Sequence, residues 1–120
     1  MAQRLVLVVE DDHDTRVVLR DALESAGYSV QSAADGAAGL RLLRTCPAVD
    51  VVLLDLMMPM VNGYEVLREF EEGKAHSKVP VVVMSAYSDG GLLKNGRAFL
   101  PKPLDLTRLL DAVAQYSQVS

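Results

Sequence analysis

Leu5-Val6-Leu7-Val8-Val9 is apolar at every position, with no polar residue on either side of the pleat. A strand with one wet face alternates polar and apolar residues, so an unbroken β-branched run of this length reads as a strand buried on both faces. Val49 to Leu54 and Pro80 to Met84 are further buried strands, the proline standing at a strand start where it is tolerated. Such strands need cover above and below, and the segments between them supply it.

Asp12 to Ala26 predicts a helix, capped by Asp12 or Asp14 and ended by Gly27, with Val18, Leu19, Ala22, Leu23 and Ala26 as its apolar stripe. Tyr28 to Ala33 is a weaker strand. Asp35 caps a second helix to about Arg44, with Leu40 and Leu43 facing inward and Pro47 beyond its end. Pro59 to Gly63 reads as a turn, and Tyr64 to about Glu72 as a helix with Val66, Leu67 and Phe70 on one side. Arg97 to Leu100 is a short fifth strand. Asp105 caps a last helix with the stripe Leu106, Leu109, Leu110, Val113 and Tyr116, and Ser117 to Ser120 reads as frayed. The pattern is β-α five times over. Right-handed crossovers then give an α/β fold, one doubly wound five-stranded parallel sheet with helices on both faces.

The 120 residues suit one domain with one core, spanning 1–120. Net charge is −4 and the Lys and Arg residues are scattered singly, which argues against direct nucleic-acid binding. No apolar run approaches the length of a membrane span, and Met1-Ala2-Gln3-Arg4 does not open a signal peptide; a cytoplasmic location is expected. Cys46 is the only cysteine, so there is neither an internal disulfide nor a Cys-based metal site. Met57, Met58 and Met60 read as packing residues, since no Cys or His is spaced to complete a soft-metal site; His13 and His76 read as solvent-facing.

In sheets of this type ligands bind at the carboxyl ends of the strands. There the first strand ends in Glu10-Asp11-Asp12, the third in Asp55 and the fourth in Ser85, while the fifth runs on into Lys102-Pro103. Carboxylates gathered this closely repel one another unless a cation lies between them. A hard divalent ion answers that need, because Mg²⁺ prefers oxygen ligands and takes one or two carboxylates plus a phosphate oxygen. With Lys102 and Ser85 available to phosphoryl oxygens, the set suits phosphoryl transfer, whose catalysis is mostly positioning and charge neutralisation.

The segments Val8-Val9-Glu10-Asp11-Asp12, Leu53-Leu54-Asp55-Leu56-Met57-Met58-Pro59 with Asn62-Gly63, Met84-Ser85-Ala86 and Lys102-Pro103 resemble the CheY-like receiver domain of two-component response regulators. The resemblance covers nearly the whole chain and implies a flavodoxin-like sheet of order 2-1-3-4-5. It implies that Glu10, Asp11, Asp55 and the backbone carbonyl of Met57 hold Mg²⁺ (or Mn²⁺). Asp55 would be the phosphoacceptor, attacking a phosphohistidine on a sensor histidine kinase or histidine phosphotransfer protein. Lys102 would contact the phosphoryl group, with a cis peptide expected at Pro103. Ser85 and Phe99 would be the switch pair, biasing an equilibrium between two surface shapes. The resemblance thus implies a signalling domain, not a conventional enzyme, that assists its own phosphorylation. It would act as a monomer or weak dimer on a protein target or output domain outside these residues.

Only sixteen residues separate Ser85 from Lys102, about one helical turn fewer than is usual in the family, and Gly90-Gly91 disfavours helix. A short or irregular fourth helix is expected there. Met57 and Tyr87 occupy the family's two dephosphorylation-tuning positions, and neither side chain suits the positioning of an attacking water. Three competing functions can be weighed. A haloacid-dehalogenase-type phosphotransferase needs a second Asp where Met57 stands. A flavodoxin-like cofactor binder wants a Ser/Thr/Gly-rich phosphate loop where Glu10-Asp11-Asp12-His13-Asp14 stands. A degenerate receiver serving as a protein-binding scaffold would not need the acid, hydroxyl and lysine set.

Overall fold

The apolar runs do assemble into one parallel sheet. In a computed structural model, which describes residues 4–45, 48–55, 79–85, 99–101 and 105–117, the strands are β1 (Leu5–Val9), β2 (Ser29–Ala33), β3 (Val49–Asp55), β4 (Val81–Ser85) and β5 (Phe99–Pro101). Their order is β2-β1-β3-β4-β5, and every pairing is parallel. The described helices are α1 (His13–Ser25), α2 (Gly36–Thr45) and α3 (Leu106–Ser117). The sheet order is the one expected. The expected turn at 59–63, the helix at 64–72 and the irregular segment before the fifth strand lie outside the described residues, as does Cys46.

Why the runs lack alternation is plain from the packing. Even-numbered β1 residues Val6 and Val8 join Val51, Leu53, Val82 and Met84 against Leu19 and Leu23 of α1 and Leu109 and Val113 of α3. Odd-numbered Leu7 and Val9 join Val52, Leu54, Val81 and Val83 against Leu43 of α2. The central strands β1, β3 and β4 are therefore apolar on both parities because they serve two cores, one on each face. Val6 to Val9 and Val51 to Leu54 have no solvent exposure.

Helix ends follow their sequence signals. Asp12 is the N-cap of α1, its carboxylate accepting from the Thr15 backbone N–H at 2.9 Å and from the Thr15 hydroxyl. At the other end Gly27 takes φ 98°, a left-handed conformation that costs glycine little. Tyr28 N donates to Leu23 O and Gly27 N to Glu24 O, both at 3.0 Å, closing a Schellman motif.

Some expectations are corrected. Val18 is half exposed and Ala26 is exposed, so they leave the α1 stripe; Thr15 and Arg16 turn inward beside Leu19, Ala22 and Leu23 instead. On that side Arg16 donates to backbone carbonyls just beyond β1, described below. Leu106 is likewise exposed, in the first turn of α3. The short fifth strand is described from Phe99 through Pro101, beyond the expected end at Leu100. Ser117 is not frayed: it is helical and buried, and its carbonyl accepts from the Arg4 guanidinium, which closes the last turn.

The β1–β3 pairing slips by one residue, from Leu5↔Val49 to Val6↔Val51. Asp50 is the residue passed over, and its carboxylate accepts from the Leu5 backbone N–H at 2.8 Å. Replacing it by Ala leaves that N–H without its acceptor. Asp50→Ala is expected to cost about 1–3 kcal/mol, read as a lower urea midpoint at unchanged slope. Asp50→Asn, which keeps a carbonyl oxygen there, is expected to cost less; an alanine variant as stable as wild type would show the bond to be dispensable.

Candidate functional site

Strand β1 and strand β3 are neighbours in register, Val9 opposite Leu54, so the residues that follow them emerge side by side at one edge. Glu10 continues the β1–β2 ladder by donating its N–H to Ala33 O at 3.0 Å. Its side chain and that of Asp55 are each only 1% exposed, whereas Asp11 is exposed. Carboxylate oxygens of Glu10, Asp11 and Asp55 all lie within 4.8 Å of one another. Two of the three acids are thus sunk in the sheet edge and the third faces solvent, a half-open cup of negative charge.

Asp12, the third acid of the run, has a different task. As the α1 cap it is directed at Thr15, and its own backbone N–H donates to Glu10 Oε2 at 3.2 Å, helping orient that carboxylate. The donor set of the cup is therefore oxygen only. Such a set matches hard divalent cations of the Mg²⁺ and Mn²⁺ class rather than zinc or copper, which favour nitrogen and sulfur. Three carboxylates this close repel one another by roughly a few kcal/mol per pair at protein-like screening, so a cation is the physically natural occupant.

Arg16 was not singled out by sequence. Its Nη1 donates to the carbonyl of Glu10 at 2.9 Å and to that of Asp11 at 3.2 Å, pinning the loop that carries both acids. Its Nη2 lies 3.3 Å from His13 Nδ1. A signal did exist: a cation in the first turns of a helix opposes the macrodipole, so it needs a compensating partner. His13 is exposed and is not part of the acid cluster. The strand ends place the backbone of Ser85 at the end of β4 and that of Phe99 at the start of β5. Their side chains, and Met57, Tyr87, Lys102 and Pro103, lie outside the described residues, as does His76. Among the described residues no helix is long and apolar enough to cross a membrane.

Comparison with known proteins agrees with this geometry. The family model for the response regulator receiver domain matches residues 6–114. The chain is 38% identical over 108 residues to the transcriptional regulatory protein YrkP of Bacillus subtilis, covering 86% of this chain and 44% of that protein. It is 34% identical over 116 residues to the sensor kinase CckA of Brucella abortus, covering 92% of this chain but 12% of the kinase. The chain thus spans less than half the length of these relatives. Among solved structures it is similar to the receiver domain of sensor histidine kinase PA1611 from Pseudomonas aeruginosa, with TM-score 0.83, 26% identity and coverage of 97% of this chain and 98% of that one. That structure has a magnesium ion coordinated in its active site cleft. Sheet order, acid cluster and family match converge, and the chain belongs to the response regulator receiver domains, the phosphoacceptor signalling domains of two-component systems.

Proposed function

We propose that Asp55 takes a phosphoryl group from the phosphohistidine of a sensor histidine kinase or histidine phosphotransfer protein, and that this modification switches a protein-interaction surface. The observation that carries the reading is the buried pair Glu10 and Asp55 meeting exposed Asp11 within 4.8 Å. Glu10, Asp11 and Asp55 would hold Mg²⁺ (or Mn²⁺), together with the backbone carbonyl of Met57. When bound, the ion neutralises charge on the carboxylates and on the phosphoryl oxygens.

The residues of this chain then have separate roles. A carboxylate oxygen of Asp55 attacks phosphorus as the P–N bond to the histidine breaks, and the imidazole leaves with the bonding pair and gains a proton. Lys102 offsets charge on the phosphoryl group, and Ser85 donates a hydrogen bond to it. Ser85 and Phe99 couple the modification to the surface formed near the fifth strand. Arg16 keeps Glu10 and Asp11 in place through their carbonyls. Residues 1–120 form one receiver domain, working in the cytoplasm as a monomer or weak dimer on a target or output domain outside these residues.

The test is incubation with a divalent ion and a small phosphodonor, followed by intact mass. Wild type should gain one phosphoryl group, chelation should prevent it, and an unmodified wild type would refute the reading. The phosphorylated form is further expected to decay slowly for a receiver, because Met57 and Tyr87 offer nothing to position an attacking water. Loss of the acyl phosphate followed over time with Mg²⁺ present measures this. Rapid decay, made slow by changing Tyr87, would contradict it.

A further inference from the structure

A cavity shares Arg16 with the loop that this side chain pins. About 150 Å³ in volume, it is lined by His13, Arg16, Val17 and Arg20 of α1 and Ser32 of β2. Pockets for drug-sized ligands begin at roughly 300 Å³, so this one suits a small ion. No carboxylate lines it, in a chain whose net charge is −4.

Arg16 and Arg20 are four residues apart on one helix, a spacing that puts like charges on one face, where they oppose each other. Neither guanidinium is spent on an acid in the contacts it makes. Arg16 Nη1 holds two carbonyls, and Arg20 Nη2 donates to Ser32 Oγ at 3.0 Å rather than to Glu24 one turn on. A guanidinium has five N–H donors, so both retain donors beyond these bonds, and the Ser32 hydroxyl, accepting from Arg20, still has its own proton to give. Donors thus reach the cavity from a helix on one side and a strand on the other. Two cations and a hydroxyl donor match a dianionic oxyanion better than a singly charged carboxylate.

We infer that this cavity is a binding site for a small dianionic oxyanion of the phosphate or sulfate type, separate from the acid cluster. The site is linked to that cluster through Arg16, which bridges the cavity and the carbonyls of Glu10 and Asp11.

The experiment uses isotope-labelled protein in Mg²⁺-free buffer with chelator, titrated with sulfate or inorganic phosphate against chloride at matched ionic strength. Side-chain N–H signals of Arg16 and Arg20 and the amide of Ser32 are followed by NMR. Both oxyanions should give saturating shifts there and at the Asp11 and Asp12 amides, while chloride should not. Arg20→Gln, at an exposed position, should weaken binding about tenfold, the scale of one hydrogen bond to a charged group. Acetate should bind several-fold more weakly than sulfate. Shifts that do not saturate, that chloride reproduces, or whose midpoint Arg20→Gln leaves unchanged overturn the site, and acetate binding as tight as sulfate overturns its preference for dianions. The same titration on Asp55→Asn should match wild type, which keeps this outcome independent of the phosphoacceptor reading.

Discussion

Asp55→Asn is expected to abolish phosphoryl incorporation while the fold stands. The amide has the shape of the carboxylate but not its nucleophilic oxygen. Asp55 ends β3 in register with Met84 of β4 and is 1% exposed, so an isosteric change keeps the volume of the buried side chain. Glu10 and Asp11 remain in the variant, so any residual gain in mass would have to come from them or from another acid. Equal modification of wild type and variant would therefore move the acceptor elsewhere. Glu10→Gln and Asp11→Asn should each slow the reaction without relocating it. Changes to outer-shell partners of a metal commonly cost 10-fold to 100-fold in affinity, and direct ligands should cost at least that much.

Magnesium is expected to raise the thermal stability of wild type and to leave Asp55→Asn nearly unmoved. The cup gathers three carboxylates whose repulsion the fold must bear when no cation is present. An ion that binds only the folded state at ten times its dissociation constant contributes about 1.4 kcal/mol. For a domain of this size that is roughly 6 °C in Tm, at about 4 °C per kcal/mol. Removing one acid weakens the site for the ion, so added Mg²⁺ should raise the Tm of Asp55→Asn far less than that of wild type. Scanning calorimetry with chelator or Mg²⁺ makes the comparison. A wild type indifferent to Mg²⁺ would count against the cup as a cation site.

Much of this was legible in the residues themselves, for identifiable reasons. Leu5 to Val9 and Val51 to Leu54 announce strands covered on both faces, and parallel order follows from their alternation with helices. Glu10, Asp11 and Asp55 could be paired across 45 residues of chain because strand ends in such a sheet share an edge. What stayed hidden depends on contacts that no local pattern encodes. Val18 looks as apolar as Leu19, yet it is half exposed while the polar Arg16 reaches the carbonyls of Glu10 and Asp11. Asp50 sits inside an apolar strand as an apparent flaw until the slipped register gives it the Leu5 N–H. Ser117 seems a loose end until Arg4, near the other terminus, closes it.

Strand β3 lies between β1 and β4, paired on both sides from Val52 to Leu54, with a helix-covered core on each face. In heavy water its amide protons should be among the last in the molecule to exchange, since they are released only when the whole domain opens. Asp55 would then stand on ground that yields only with the whole domain. A phosphoryl group placed there, as proposed above, would press against a fixed anvil.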